Sequence, residues 1–142
     1  MRTAVIAVCM AMLLTGPAHA GKRDSEVCDI QKAPCVSVTD SGLEVAFSVT
    51  PRPVKTMQNL EFIVTLKKNG KPVTGALLLL DLSMPGMFMG NNQPKLREEQ
   101  SGRYRGSGII PRCVTGQRIW KAFIAIRHNG KVEKVSFLVE VQ

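Results

Sequence analysis

An all-β fold, two antiparallel sheets packed face to face, is predicted by three features of this sequence. Apolar residues alternate with polar ones in several separate runs, the period-two pattern of a half-buried strand. Two Asn-Gly pairs, Asn69-Gly70 and Asn129-Gly130, separate such runs, and this dipeptide is the strongest short hairpin signal. No helical period of useful length, internal repeat or low-complexity tract competes with that pattern.

The chain opens on a targeting pattern. Arg2 supplies a positive start, residues 3–15 form a short apolar run, and Ala18-His19-Ala20 provides a small-x-small cleavage pattern. A secretory signal peptide is therefore expected over residues 1–20, with the exported chain beginning near Gly21. The apolar run is too short for a transmembrane helix; the alternative is an uncleaved anchor. Cys9 lies inside that run after Val8, an unfavourable place for lipidation. Residues 21–39 read as a polar, Cys-containing leader, flexible over residues 21–33 apart from its cysteine, and residues 40–142 as one domain. The roughly 120 residues after position 20 suffice for one core.

Leu43, Val45, Phe47 and Val49 alternate with polar or small residues until Pro51-Arg52-Pro53 stops the strand. Leu60, Phe62, Val64 and Leu66 alternate again up to the first Asn-Gly hairpin. Residues 76–82 form an apolar run broken only by Asp81, which fits a strand covered on both sides or a short helix; the length and the preceding hairpin favour the strand. Residues 95–100 form a short strand, and Ser101-Gly102 turns into residues 103–110. There Gly106 and Gly108 predict a bulge or a close backbone approach. Pro111-Arg112-Cys113-Val114-Thr115-Gly116 is a loop. Trp120, Ala122, Ile124 and Ile126 then share one strand face, and the second hairpin leads to Val135, Phe137, Val139 and Val141. About seven short strands in a chain of this length imply an immunoglobulin-like sandwich, with sites built on loops at its ends.

The chain is basic, with a formal net charge of +8. All eleven acids and all but one of the nineteen basic residues lie after position 20. The aromatics are few and fall within strand-like runs, so no aromatic-rich basic stripe points to nucleic acid. The charge suits anionic lipid headgroups, an acidic partner or a solvated surface.

Export implies oxidising conditions and at least one disulfide. Cys28 and Cys35 are natural partners, closing a short loop ahead of the first strand. Cys113 is left over. It is open to several roles: a metal thiolate, a redox thiol, a dimer bridge or a buried side chain. No C-x-x-C motif is present.

The richest local signal is Met84-Pro85-Gly86-Met87-Phe88-Met89. Pro then Gly suits the central positions of a type II turn, which sets Met84 and Met87 within about 7 Å of each other. An extended exit points Met87 and Met89 to the same side. Three thioethers then converge, and soft sulfur selects Cu(I). The competing reading is packing, since Met is a common gap-filler; yet Pro, Gly and Asn surround these methionines, as in surface turns. Met57 can add a fourth thioether from a neighbouring loop. Trp120 can cap a soft metal through its ring face, but its alternation with Ala122 and Ile124 argues for core burial.

Catalysis is poorly supported. Past the signal peptide the only histidine is His128, at a hairpin turn, and nothing supplies a held base and nucleophile. Glu98 and Glu99 are adjacent and face opposite ways on a strand. Tyr104 and Arg105 carry no specific signal.

Asp81-Leu82-Ser83-Met84-Pro85-Gly86-Met87, then Gly102-Arg103-Tyr104, then Gly116-Gln117-Arg118-Ile119-Trp120 resemble, in order and spacing, the YtkA-like domain, related to FixH. The resemblance covers roughly residues 40–142. It implies a small immunoglobulin-like domain at or outside the membrane, with copper handling or the assembly of a respiratory oxidase as its work. FixH-type members carry a transmembrane anchor, whereas this chain is expected to carry a signal peptide alone. The pair Cys28 and Cys35 and the Cys113 loop lie outside the motifs that carry the resemblance, so a role for Cys113 rests on its chemistry.

The expectation is a soluble extracytoplasmic, non-enzymatic sandwich that binds Cu(I) through Met84, Met87 and Met89, with Cys113 or Met57 as a further ligand. It would buffer copper or deliver it to an acceptor such as a membrane oxidase. The alternative is a non-metal interaction module using the Met-rich loop and the basic surface to contact a partner or a membrane.

Overall fold

The computed structural model describes residues 26–142; the expected signal peptide and residues 21–25 of the leader lie outside the described residues. Ten strands follow one another: β1 Val27–Cys28, β2 Cys35–Val38, β3 Leu43–Thr50, β4 Asn59–Lys68, β5 Lys71–Pro72, β6 Leu77–Ser83, β7 Arg97–Gln100, β8 Arg103–Ile109, β9 Ile119–His128 and β10 Lys131–Glu140. One sheet has the order β1-β10-β9-β6 and the other β2-β3-β4-β8-β7, with β5 added to β4. Every pair is antiparallel except β1 with β10. This is the expected two-sheet β-sandwich, with ten strands in place of about seven because the leader adds β1 and β2 and the first hairpin adds the two-residue β5. No described helix is long and apolar enough to cross a membrane.

The alternating residues do what period two requires. Leu43, Val45, Phe47 and Val49 of β3 are buried, as are Leu60, Phe62, Val64 and Leu66 of β4. Trp120, Ala122, Ile124 and Ile126 of β9 meet them from the other sheet together with Val135, Phe137 and Val139 of β10. Phe47 and Phe137, from opposite sheets, stack with centroids 6.0 Å apart and planes 13° from parallel. Both hairpins have two central residues at positive φ, Asn69 (51°) with Gly70 (74°) and Asn129 (47°) with Gly130 (73°). That is the type I′ geometry that matches strand twist.

Three expectations change. The leader is part of the sandwich from residue 27 onward. Ile30 is fully buried, and β1 and β2 join different sheets. The Cys28–Cys35 disulfide, with Cα atoms 5.9 Å apart, therefore staples the two layers together. Gln31 fastens the same segment through its side chain, accepting from the Val54 N–H (2.7 Å) and donating to the Val54 carbonyl (3.1 Å).

The apolar run at residues 76–82 is a strand covered on one side. β6 lies at the border of its sheet, with Leu80 and Leu82 inside and Leu77 and Leu79 exposed by 68% and 45%. A two-layer sandwich has nothing to cover its outer face, and a run of leucines cannot report that from sequence.

Tyr104 has a defined role. Its hydroxyl accepts from the Ala76 N–H and donates to the Val73 carbonyl, both at 3.0 Å, pinning the crossover from β5 to β6. Burial raises its pKa above that of an ordinary phenol.

Of the two outcomes expected at Gly106 and Gly108, the close approach is found. A Cβ at Gly106 would lie 2.4 Å from the Lys95 carbonyl oxygen, and one at Gly108 would lie 3.2 Å from Phe62 and Pro94. The register of β4 with β8 is unbroken there, and the irregularity falls at Glu98 and Gln100.

Candidate metal centre

The Met-rich segment leaves β6 by the expected turn. Gly86 has φ 77°, and the Met87 N–H donates to the Met84 carbonyl at 3.1 Å. This closes a type II turn, with Pro85 setting the first φ and Gly86 accepting the second. Met84 prolongs the inward face of Leu80 and Leu82 and is 3% exposed. Beyond the turn, Met87 and Met89 are part-buried against the core, while Phe88 between them is 86% exposed. The alternation expected of an extended exit is present.

The loop between β8 and β9 supplies the other sulfur. Its Gly116 N–H donates to the Cys113 carbonyl at 3.1 Å, closing a tight turn. Cys113 is a free thiol, 4% exposed, and its Sγ lies 3.8 Å from the Met87 Sδ. The Met-rich loop and the Cys113 loop thus meet at one end of the sandwich. A metal about 2.3 Å from each sulfur would subtend an angle of about 110° there, as tetrahedral or trigonal coordination requires.

Thr115 completes this arrangement. Its Oγ1 is 3.0 Å from the Cys113 Sγ. Hydrogen bonding from the Thr115 hydroxyl and N–H, with smaller help from the Gln117 and Gly116 N–H groups, outweighs burial and draws the thiol pKa below its usual value. A lower pKa means more thiolate at neutral pH, the form that ligates metal. Sequence reasoning passed over Thr115; a hydroxyl two residues after the unpaired cysteine was the available signal.

Met84 is held in the core beside the turn, and Met89 rests on the core. Met57 occupies a turn of its own at φ 59°, where its N–H donates to the Ile110 carbonyl at 2.8 Å. This puts its backbone beside the start of the Cys113 loop, with the residue 64% exposed. Trp120 is fully buried, as alternation implies.

Glu98 accepts from the N–H groups of Gly75 (2.9 Å) and Gly102 (3.2 Å), and Glu99 pairs with Arg105 at 3.0 Å. Both act within the fold. Among the described residues no three His, Cys, Asp or Glu side chains group to hold a metal. A cleft of about 390 Å³ opens on Cys113 and is lined also by Lys55, Thr56, Arg112, Gln117 and Arg118.

The model of a family described as YtkA-like matches residues 37–111. That span holds the Met-rich turn and Tyr104 and stops short of Cys113. No curated protein matches the chain. Among solved structures, a DUF4785 family protein from Legionella pneumophila is similar in fold. The TM-score is 0.50 at 10% identity, over 70% of this chain and 28% of that longer one.

Proposed function

The chain belongs to the YtkA-like family, and on that premise we propose that it is an extracytoplasmic protein that binds Cu(I) reversibly as cargo. It would buffer the ion or pass it to an acceptor such as a membrane oxidase. The observation that carries this reading is the approach of Met87 Sδ to Cys113 Sγ at 3.8 Å across two loops. A thioether and a thiolate form a soft pair suited to Cu(I). Two sulfurs on loops at a sandwich end suit exchange better than permanent retention, because an acceptor's ligands can reach the metal from outside. The leader pattern at residues 1–20 and the Cys28–Cys35 disulfide support the extracytoplasmic setting. No enzymatic role is proposed.

A competition titration of Cu(I) against a chromogenic chelator, without oxygen, tests this reading. The wild-type chain is expected to bind one equivalent, and Met87→Leu and Cys113→Ser each to lose at least tenfold in affinity. Met57→Leu is expected to match wild type. Equal binding by all four chains would defeat the assignment.

A second reading has its own support. Phe88 and Val114, one on each loop, are 86% and 97% exposed. They give this end an apolar contact surface for a protein partner. Phe88→Ser would weaken such docking and leave copper binding unchanged.

A further inference from the structure

The opposite end of the sandwich carries a second surface. On the outer face of the β6-β9-β10 sheet, Leu77 lies opposite Arg127 and Arg127 opposite Val132; the next row is Leu79, Ala125 and Lys134. Leu77, Leu79 and Val132 are 68%, 45% and 54% exposed. The other sheet's outer face is different in kind, with Arg105 held by Glu61 (3.2 Å) and Glu99 (3.0 Å).

Both Asn-Gly hairpins project from this same end. The β2–β3 turn donates from Thr39 and Ser41 to Glu133 of β10, and Leu43, which opens β3 after that turn, pairs with Lys68 of β4. The first hairpin carries Lys67, Lys68 and Lys71; the second carries Arg127 and Lys131, with Lys134 beyond it. No ion pair among the described residues joins any of these six cations to an acid. Of the nearby acids, Glu133 accepts from the two hydroxyls and stands within electrostatic reach of Lys68 and Lys131, and Glu44 faces Lys67 across the ladder. Asp40 stands in the turn between the hydroxyls. The end is net cationic.

From this pairing of exposed leucine and valine with two lysine-bearing hairpins, we infer that the hairpin end docks on an anionic bilayer surface. Aliphatic side chains enter the headgroup boundary while lysine and arginine ammonium and guanidinium groups meet lipid phosphates. A second copy of the chain is a poorer occupant, since stacking this face on itself sets Arg127 and Lys134 against like charges. Docked this way, the molecule holds the sulfur pair away from the bilayer. β6 begins at Leu77 and reaches the Met-rich turn seven residues on, about 20 Å along a strand. The inference stands without the copper reading.

Vesicle co-sedimentation with the protein purified after export tests it. At low salt the chain sediments with vesicles of phosphatidylglycerol and phosphatidylcholine, stays in solution with phosphatidylcholine alone, and is released by high salt. Each cation removed lowers partitioning about fivefold, so Lys68→Gln with Lys131→Gln loses about 25-fold. Leu77→Ser with Leu79→Ser weakens binding as well, and these exposed sites leave the core intact. Absence of binding to the anionic vesicles, as for a face that serves a soluble acidic protein, overturns the inference. So does binding by the variants equal to that of wild type.

Discussion

Cys113 is the residue on which the site's chemistry turns, and pH reports it. On the proposed copper reading Cu(I) would displace the thiol proton, so affinity is expected to rise about tenfold per pH unit below the thiol pKa and to level off above it. Hydrogen bonding from Thr115 lowers that pKa, so the plateau arrives at lower pH than for an ordinary thiol. Thr115→Ala should shift the plateau upward. Cys113→Ser should bind more weakly and without this slope, because the Met87 thioether carries no proton. Chelator competition across mildly acidic to mildly basic pH measures all three. The Met-rich turn was legible because Pro-Gly dictates a type II turn whatever surrounds it. The partnership of Cys113 with Met87 was not, since loops from two separate strand pairs must meet to form it. Met57, a candidate on composition, sits in a positive-φ turn with most of its surface in solvent.

Among the elements, the β5–β6 crossover depends on a single side chain. Tyr104→Phe keeps the ring in the core but leaves the Ala76 N–H and the Val73 carbonyl without their partner. Each unsatisfied buried group costs about 1–3 kcal/mol, so urea denaturation should register a loss of about 2–4 kcal/mol with the fold retained. An unchanged midpoint would remove Tyr104 from this role. The long strands β3, β4, β9 and β10 were readable from alternation, and so were the hairpins, because both signals are local; β1 and β2, in the polar leader, were not. What Tyr104 bonds and which strand lies at a border are set by sheet order. That is why residues 76–82 read as doubly covered and β6 has an open outer face. The Gly106 approach was visible as a glycine without a turn, although its neighbour, the Lys95 carbonyl, was not.

At the scale of the molecule, two layers are held by the core and by one covalent link between β1 and β2. Closing so short a loop is worth about 2–3 kcal/mol through the unfolded chain; reducing Cys28–Cys35 should lower stability by that amount, read as a shift in urea midpoint with and without reductant. Equal midpoints would mean the layers hold without it. The disulfide itself was legible from the cysteines; the polar composition of the leader concealed that it joins the two sheets, since one buried side chain, Ile30, and one cysteine are enough to seat the segment. The sandwich thereby presents sulfur at one end and lysine at the other. The copper X-ray absorption spectrum of the Cu(I)-loaded protein tests the central claim most directly. The account predicts a shell dominated by sulfur at about 2.3 Å, losing sulfur amplitude in Cys113→Ser and in Met87→Leu. A shell of nitrogen and oxygen, or one unchanged in both variants, would contradict it.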